Sequence, residues 1–581
     1  MSTNAGTDAW DVLIVGGGSA GCVLASRLSE DSHCRVLLLE AGRDDPPGQE
    51  PWHIRDTFFS APYHPDNVWP NLQVKWTDDR SPQAYLQAKV MGGGSSINAM
   101  AAPRGLPDDY DEWERLGATG WNASSVLPAF TRLETDTDFA GPLHGRSGPI
   151  ILRRIPRGQW PPFVDAVARA LESRGMSWIA DMNTDPRDGI CSLPLSSTEE
   201  HRVSAASGYL TAEVRRRRNL RIESRAEVTR LRVEHGRVTG VEVRSARGVE
   251  VLLATETILA AGALQSPVLM MRSGFGPAAM LEHAGLRVET DLPGLGKNLQ
   301  DHPTAAIGAF LRRSGMQASS LRPGISIMLR MTSQCAGSLP SDLFIGVPNK
   351  VAWHAFGQRV GALNVALNRP ESRGAVRLER AAGGPRAVFE FNLLGEPGDL
   401  ERMRAGFRAA YSIINSPQVR ELLLTSFPAN FAPRVLRANR RSWWNGVQSR
   451  LLTLALDAAG PARKSLLHLL VASGPDLARI IDDDAALGSW LRRSVTGWFH
   501  PAGTCRMGIS GDAHAVVDPL TARVHGVKGL RIVDASVMPR LTRANTNLTT
   551  MMIAERFAEA MRGPSITIAQ ETVMGNGDRS A

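Results

Sequence analysis

Cysteine is scarce in this chain, which has only five in 581 residues. They are Cys22, Cys34, Cys191, Cys335 and Cys505. The number is odd, the positions are scattered, and no pair has the C-x-x-C spacing of a zinc or redox site. We therefore expect reduced thiols rather than a disulfide framework, and no motif in the sequence predicts a metal site.

Long apolar runs and a leader segment are also missing. The N-terminus, MSTNAGTDAW, has neither the basic nor the apolar region of a signal peptide. No uninterrupted apolar run is long enough to span a bilayer. The sequence thus predicts a cytoplasmic protein that is neither exported nor integral to a membrane.

A basic excess is present, but a basic tract of the nucleic-acid-binding kind is not. The chain has 66 basic and 58 acidic residues, a formal net charge of +8. Acidic residues are interspersed through most of it, and no basic stretch carries interleaved aromatic residues. We expect no nucleic-acid partner, since anionic lipid or simple solubility explains the balance as well.

The first positive signal is the sequence DVLIVGGGSAG at residues 11–21. Residues 12–15 are typical of a buried parallel strand, and residues 20–28 are typical of the helix that follows. Gly16, Gly18 and Gly21 form G-x-G-x-x-G, which allows a tight turn, close approach of a pyrophosphate and close helix packing. Glu40 ends the next strand, 35–39, where it can accept hydrogen bonds from ribose hydroxyls. This unit predicts a dinucleotide site, for NAD or FAD.

A second glycine cluster lies at residues 88–101, AKVMGGGSSINAMA. Three glycines and two serines before an apolar run predict a tight loop that enters a helix. Such a loop presents backbone amides to a flavin or a phosphate. A surface linker is the alternative, but linkers seldom continue into a segment of helical propensity.

Together these segments resemble the glucose-methanol-choline (GMC) oxidoreductases, a family of flavin-dependent alcohol oxidases and dehydrogenases. The resemblance extends to Arg104-Gly105, to AAGALQSPVLMMRSGFG at 260–276 and to WFHPAGT at 498–504, and it runs from residue 11 to about residue 562. Phe275 and Met91 stand where the family usually has an aliphatic residue, which we regard as conservative apolar departures.

The resemblance implies FAD as the cofactor. Asp534 matches the position that contacts the flavin ribityl and phosphate region, although an aspartate there could equally cap a turn. Ile97 stands where some members carry a histidine bonded to the flavin, so the FAD should be noncovalent. The implied cofactor-binding residues are Gly16, Gly18, Ser19, Ala20, Gly21, Glu40, Ala41, Trp69, Met91, Gly92, Gly93, Ser95, Asn98, Ala99, Met100, Ala101, Val228, Asp534 and Ala535.

The resemblance also implies the catalytic pair. Taken alone, His500 would more often be structural, but it matches the histidine of the family's H-P-x-G-T motif and is therefore predicted to be the general base. Asn547, in ANTNLTT at 544–550, is predicted to lie beside it and to donate to the substrate oxygen. The alternative role of Asn547 is a helix N-cap, which is compatible with catalysis.

The likeness is greatest to bacterial oxidases of 5-(hydroxymethyl)furfural and related aryl alcohols, through WPNL at 69–72, the segment 104–121 and PLHGRSGPI at 142–150. It implies oxidation of a primary alcohol to an aldehyde, with hydride transfer to flavin N5 and O2 as acceptor. A hydrated aldehyde could react again to give an acid. We expect Phe499 and Leu367 to face the substrate from opposite sides.

At 581 residues the chain predicts at least two domains. We expect an α/β fold, α+β overall, in which residues 1–155, 200–305 and 490–563 form a discontinuous Rossmann-like FAD-binding domain. Residues 156–199 and 306–489 should form a substrate-binding domain built on an antiparallel sheet, and 564–581 a mobile tail.

One segment departs from the compact family pattern. Residues 434–471 contain several arginines, the pair Trp443-Trp444 and two apolar stretches, LLTLALDAAG and SLLHLLVA. They predict an insertion of amphipathic helices that could rest on a membrane surface or cover the active-site mouth. Packing on the protein's own surface is the interpretation we favour.

Two other functions fit the sequence. A dehydrogenase of choline-like or aliphatic alcohols that uses a quinone shares the fold, and the insertion motivates it. A hydroxynitrile lyase that keeps FAD as a relic belongs to a different class. The sequence does not predict the oligomeric state.

Overall fold

Two β-sheets organise the chain, and their strands come from different stretches of the sequence. The computed structural model describes residues 9–429, 433–471 and 475–563. The mixed α/β architecture that the sequence predicts is confirmed. The predicted tail, 564–581, lies outside the described residues.

The first sheet has seven strands and carries the glycine-rich start of the chain. Five of its strands run parallel, and the remaining two extend it through an antiparallel meander. Strand Trp10–Val15 is at the centre, and burial on both faces explains its continuous apolar run. In spatial order the strands are Leu220–Glu223, Val36–Leu39, Trp10–Val15, Gly248–Leu259, Arg237–Ser245 and Glu227–Glu234, with Leu530–Ile532 paired to Gly248–Leu259.

Helix Ser19–Leu28 follows the first strand directly and packs against the C-terminal helix Thr546–Arg562. Between them the buried Glu555 pairs with Arg27 at 2.9 Å. Gly21 lets this first helix lie close to the preceding turn, because a Cβ there would lie 1.9 Å from the carbonyl oxygen of Gly16. The start and the end of the chain therefore meet at the predicted dinucleotide site.

The second sheet has eight strands and is mostly antiparallel. One face packs on helix Pro397–Ile414, where Gly406 lies beneath Val365. The strands in spatial order are Leu423–Ala429, Pro303–Leu311, Val360–Leu367, Leu343–Pro348, Ile325–Met331, Gly189–Ser192 and Trp178–Ile179, with Thr496–Gly497 paired to Pro303–Leu311. The expected domain boundary at 305 thus falls inside a strand of this sheet, and the two-domain division stays a proposal.

The predicted insertion at 434–471 forms three helices, Pro433–Asn439, Trp443–Ala458 and Arg463–Leu470. Leu456 and Leu467 on their inner side are buried against Phe310, Phe356 and Phe427 of the protein's own core. These buried contacts agree with the interpretation that the segment packs on the protein's own surface. Among the described residues, no helix has both the length and the apolar character needed to cross a bilayer.

Shorter elements complete the fold. The remaining helices are Trp52–Arg55, Gly94–Ile97, Pro107–Arg115, Ala123–Leu133, Pro162–Glu172, Ala205–Tyr209, Ala212–Arg215, Gly262–Arg272, Ala278–His283, Ala355–Gln358, Pro417–Arg420, Leu477–Ile480 and Asp484–Ser494. The small sheets pair Gln73–Val74 with Gln83–Ala84, Phe275–Gly276 with Thr290–Asp291, and Ala375–Glu379 with Arg386–Glu390. In a three-stranded sheet, Ile150–Arg153 lies between Glu134–Asp136 and Leu195–Ser196.

Candidate active site

Two adjoining cavities lie along the carboxyl ends of the parallel strands. The first, of about 600 Å³, includes Gly16, Glu40 and Val228 in its lining, and we call it the dinucleotide cleft. The second, of about 380 Å³, includes Phe499 and His500, and we call it the inner chamber. Both are lined by Ala88, Ala260 and Ala261, so they form one elongated space.

Three helices begin at the inner chamber. Ser19, Gly262 and Thr546 are the first residues of helices of 10, 11 and 17 residues, and all three line it. Helix N-termini present unpaired N–H groups and a partial positive charge, which favour phosphates and other anions. The residues present therefore fit an extended dinucleotide with a pyrophosphate at its middle, as FAD has.

Glu40 lies in the cleft, as the sequence predicts, but its carboxylate is already engaged. It accepts hydrogen bonds from the backbone N–H groups of Gly17 and Gly42, both at 2.8 Å. Burial raises the pKa of Glu40. The carboxylate therefore holds the glycine-rich turn in shape while it lines the dinucleotide cleft.

The predicted cofactor residues divide into two groups. Those that line the two cavities are Gly16, Gly18, Ser19, Glu40, Ala41, Trp69, Gly93, Asn98, Ala99, Ala101, Val228, Asp534 and Ala535. Those that lie behind the lining are Ala20, Gly21, Met91, Gly92, Ser95 and Met100. Members of the second group shape the loops: the Ser95 hydroxyl, for example, donates to the carbonyl of Gly92 and accepts from the N–H of Ala205.

Asp534 has the capping role that the sequence offered as an alternative, and it also lies at the inner chamber. Its carboxylate accepts hydrogen bonds from the N–H of Ser536, the N–H of Gly262 and the hydroxyl of Ser266. It therefore caps a turn and joins two segments, while it also lines the inner chamber. Ile97 lines the same chamber and packs on Ile54 and Val90.

His500 is buried and lies in a chain of four hydrogen-bonding groups. Its Nδ1 is 2.8 Å from Nδ1 of His302, and Nε2 of His302 is 3.1 Å from the carbonyl oxygen of Thr542. On the other side, Nε2 of His500 is 3.0 Å from the amide Nδ2 of Asn545. The geometry determines which atoms carry protons.

The carbonyl of Thr542 can only accept, so Nε2 of His302 must carry a proton. Burial lowers the pKa of His302 to about 4, which keeps its ring neutral and leaves Nδ1 as an acceptor. Nδ1 of His500 must then donate to it, and Nε2 of His500 keeps its lone pair. Burial, and next the nearby His302, lower the pKa of His500 well below its usual value, so its ring is neutral.

The prediction that Asn547 lies beside His500 is wrong, because Asn545 occupies that place. The C-terminal helix begins at Thr546, earlier than the apolar run at 551–561 suggests, and Asn547 is already within its first turn. The side-chain oxygen of Asn547 accepts a hydrogen bond from the Ser19 hydroxyl at 2.8 Å. Both asparagines line the inner chamber, but only Asn545 contacts the imidazole.

Leu367 does not face the substrate space, contrary to the prediction. It is fully buried in the core and lines neither cavity. Side chains alternate between the two faces of a strand, and Asn364, three residues earlier on Val360–Leu367, is the one that faces the chamber. Phe499 does line the chamber, with a positive φ of 61° and its ring 5.1 Å from that of Tyr85.

Sequence reasoning missed Asp301 and His302 because neither lies in a glycine-rich or H-P-x-G-T pattern. Asp301 is buried and accepts from the N–H groups of His302, Trp498 and His500. It therefore fixes the backbone that aims the base, and burial raises its pKa to about 7. The only available signal was an acid and a histidine directly before an apolar strand.

One buried group outside these cavities has the composition of a metal site. Ligand atoms of Glu134, Asp136 and His144 lie within 4.8 Å of one another. Arg104 pairs with Glu134 at 2.5 Å, and Arg154 pairs with Asp136 at 2.7 Å. The arginines supply the positive charge that a cation would otherwise bring, so we assign this cluster a structural role.

Known families and proteins match the whole length of this architecture. Two family models described as GMC oxidoreductase match residues 10–304 and 370–554. The chain is 38% identical over 569 residues to a 5-(hydroxymethyl)furfural oxidase of Methylovorus sp. (strain MP688), covering 95% of this chain and 98% of that protein. It is 31% identical over 575 residues to an oxygen-dependent choline dehydrogenase of Staphylococcus xylosus, covering 96% and 95%.

A solved structure agrees with the fold. The crystal structure of pyridoxine 4-oxidase from Mesorbium loti superposes with a TM-score of 0.77 at 28% identity, covering 94% of this chain and 98% of that one. The similarity extends over both large sheets.

Proposed function

The chain belongs to the GMC oxidoreductase family and is an FAD-dependent enzyme that oxidises alcohols, and we propose that it acts on furanic and aryl primary alcohols, such as 5-(hydroxymethyl)furfural, with O2 as acceptor. FAD, when bound, supplies the hydride acceptor, the N5 atom of its ring system. The chain's own residues hold the alcohol and remove its hydroxyl proton.

The observation that carries the proposal is the unprotonated Nε2 of His500 in the inner chamber, where its lone pair accepts from the Asn545 amide and is available to an alcohol hydroxyl that takes that place. An alcohol becomes a good hydride donor only when its hydroxyl proton begins to leave. The neutral imidazole accepts that proton at Nε2, and the charge that results is shared with His302 through their hydrogen bond. The product is an aldehyde, and a hydrated aldehyde presents a second hydroxyl to the same base.

Asn545 holds the substrate oxygen. Its amide nitrogen contacts Nε2 of His500 at 3.0 Å, so an alcohol hydroxyl that reaches the base also lies beside the amide. An amide N–H donates a hydrogen bond without competing for the proton. The developing charge on the oxygen is therefore stabilised without loss of the base.

The chamber favours a flat, neutral substrate. Its aromatic lining comprises Phe59, Tyr63, Tyr85, Trp498 and Phe499. Among the described residues of the lining, Asp534 is the only carboxylate, and the N–H and hydroxyl groups around it already engage it. A quaternary ammonium alcohol would find aromatic faces but no free carboxylate.

The test measures flavin reduction in His500→Ala by stopped-flow with 5-(hydroxymethyl)furfural under anaerobic conditions. The variant should bind FAD normally and reduce it about 10² to 10⁴ times more slowly, the usual contribution of a general base. His33→Ala, at an exposed position, is the matched control and should behave as wild type. Reduction at the normal rate in His500→Ala would remove the histidine from the reaction.

The acceptor and the substrate class are tested with the same wild-type preparation. Hydrogen peroxide formed in equal amount to the aldehyde supports O2 as acceptor, whereas turnover only with an added quinone supports a dehydrogenase. The kcat/KM for benzyl alcohol should exceed that for choline. The free-energy difference that corresponds to this ratio should be larger than one hydrophobic contact supplies, which is about 1 to 3 kcal/mol. A clear preference for choline contradicts the aryl-alcohol proposal.

A further inference from the structure

A third cavity adjoins the inner chamber, and the proposed function does not use it. It has a volume of about 330 Å³ and lies between the second sheet and the insertion helices. We call it the outer chamber. We propose that it binds the uncharged apolar tail of the substrate, so that the preferred substrates are primary alcohols with an extended aryl or alkyl group. This inference rests on the proposed function, since it concerns the far end of the same substrate.

The two chambers share one floor. Ile325, Met328 and Pro348 lie under the inner chamber, on adjacent strands of the second sheet. Ala306 and Ala362 lie under the outer chamber, on the strands next to them. A molecule that lies along this sheet would pass from one space to the other between the residues that line both.

Four residues line both chambers and form the neck between them. They are Phe59, Tyr63, Pro348 and Asn364. Burial raises the pKa of Tyr63 to about 12, so the neck carries no charge. Its apolar and aromatic surfaces suit the middle of an uncharged molecule.

The outer chamber is uncharged as well. Its lining, among the described residues, includes no aspartate, glutamate, lysine or arginine. Burial lowers the pKa of His354 to about 4, and its Nδ1 is 2.9 Å from the Ser449 hydroxyl, so this ring is neutral and engaged. A charged or strongly polar tail would lose its hydration there without compensation.

The position of the base explains why the tail extends outward. His500 and Asn545 hold the hydroxyl end in the inner chamber, where the flavin ring system also needs room. What remains of a larger substrate must leave through the neck. The insertion helices supply the far wall through Asn445, Gln448 and Leu452.

The test compares kcat/KM for benzyl alcohol with that for 4-butyl- and 4-octylbenzyl alcohol. Each methylene that becomes buried should raise kcat/KM by up to about fourfold. Ala362→Phe should place a ring in the outer chamber. The kcat/KM for 4-octylbenzyl alcohol relative to that for benzyl alcohol should then fall at least tenfold, while the kcat/KM for benzyl alcohol itself stays within twofold of wild type. Ala455→Phe, on the exposed side of the insertion, is the matched control.

The outcomes separate the two proposals. Equal kcat/KM along the series in wild type, or an equal loss for all three alcohols in Ala362→Phe, overturns the tail site. Oxidation of none of the alcohols overturns the proposed function instead. Ala306→Leu provides a milder filling variant if Ala362→Phe does not bind FAD.

The outer surface of the insertion carries a second, independent inference. Six of the fifteen exposed large hydrophobic side chains in the described residues belong to the insertion helices: Trp443, Trp444, Leu451, Leu454, Leu469 and Leu470, of which Leu470 also lines the outer chamber. Trp443 is 78% exposed and Leu469 is 76% exposed. Apolar side chains gathered on one surface in this way mark an interaction site.

The charge of the segment identifies the partner. Residues 433–471 contain six arginines and one lysine against one aspartate, so 7 − 1 gives a net charge of +6. Exposed tryptophan and leucine beside arginine is the pattern of an interfacial helix on an anionic bilayer. We infer that this surface docks on an anionic lipid membrane.

The test is co-sedimentation with vesicles of phosphatidylcholine alone or with 30% phosphatidylglycerol. Wild type should bind only the anionic vesicles, and 0.5 M salt should weaken binding. Trp443→Ser/Trp444→Ser/Leu451→Ser should abolish it with activity on benzyl alcohol retained, whereas Val249→Ser/Val251→Ser, on an exposed strand elsewhere, should not. The inference would be overturned if wild type did not bind the anionic vesicles, or if both variants lost vesicle binding equally. It would also be overturned if wild type self-associated and only the triple variant lost that self-association.

Discussion

The hydrogen bond between His302 and His500 should control the rate of flavin reduction without contact between His302 and the substrate. In His302→Leu the acceptor at Nδ1 is removed, and the buried Nδ1–H of His500 has no partner. The ring can then move its proton to Nε2, where the Asn545 side chain can rotate to accept it. In that tautomer the base has no lone pair toward the substrate.

The magnitude follows from the cost of the unpaired donor. A buried N–H without an acceptor costs about 1 to 3 kcal/mol. Since about 1.4 kcal/mol corresponds to tenfold, the active tautomer should become roughly 5 to 150 times less populated. Flavin reduction should slow by the same factor, which reaches only the low end of the loss expected for His500→Ala.

His302→Gln is the conservative control. Its side-chain oxygen can accept from His500, and its amide can donate to the Thr542 carbonyl, so the rate should largely recover. Stopped-flow reduction measures the rate, and ¹⁵N NMR of histidine-labelled enzyme reports which nitrogen of His500 is protonated. Wild-type rates in His302→Leu, or a slow rate with an unchanged ¹⁵N signature, would refute the tautomer argument.

Four further predictions follow from the site. Asn545→Ala should slow flavin reduction more than Asn547→Ala, because only Asn545 contacts the base; stopped-flow on both variants checks this. Because the pKa of His500 is held well below its usual value, kcat/KM should stay level from pH 7.5 to 6 and fall only at lower pH, where the base becomes protonated. Acid precipitation should release intact FAD into the supernatant, because Ile97 has no group that could bond the flavin; flavin that stays with the pellet would contradict this. The pKa of Asp301, raised to about 7, should make the protein lose stability as pH rises from about 4 to 7, and Asp301→Asn should remove this slope in Tm.

Local patterns were sufficient for the framework of the cofactor site. A β-branched run, three glycines and an acid at the end of the next strand define a βαβ unit whose geometry is set within about thirty residues. Gly16, Gly18 and Glu40 were therefore placed correctly in the dinucleotide cleft. The H-P-x-G-T motif likewise brought His500 to the inner chamber, because a short rigid turn aims its own side chain.

Only the tertiary structure decided which residues from distant parts of the chain contact each other. The segment ANTNLTT offers two asparagines, and the start of the C-terminal helix, set by packing on Ser19–Leu28, turns Asn545 toward the base and Asn547 toward Ser19. Leu367 was misplaced because no local pattern showed that it ends a strand, Val360–Leu367, on which side chains alternate between the two faces.

The sequence by itself thus determined the family and the cofactor and predicted the base, since each depends on residues close together in the chain. The tertiary structure decided the tautomer of that base and the extent of the substrate space. His302 lies 198 residues from His500, and the outer chamber is enclosed by an insertion folded over strands far away in sequence. Contacts of this kind depend on the register and packing of whole elements, which no local pattern encodes.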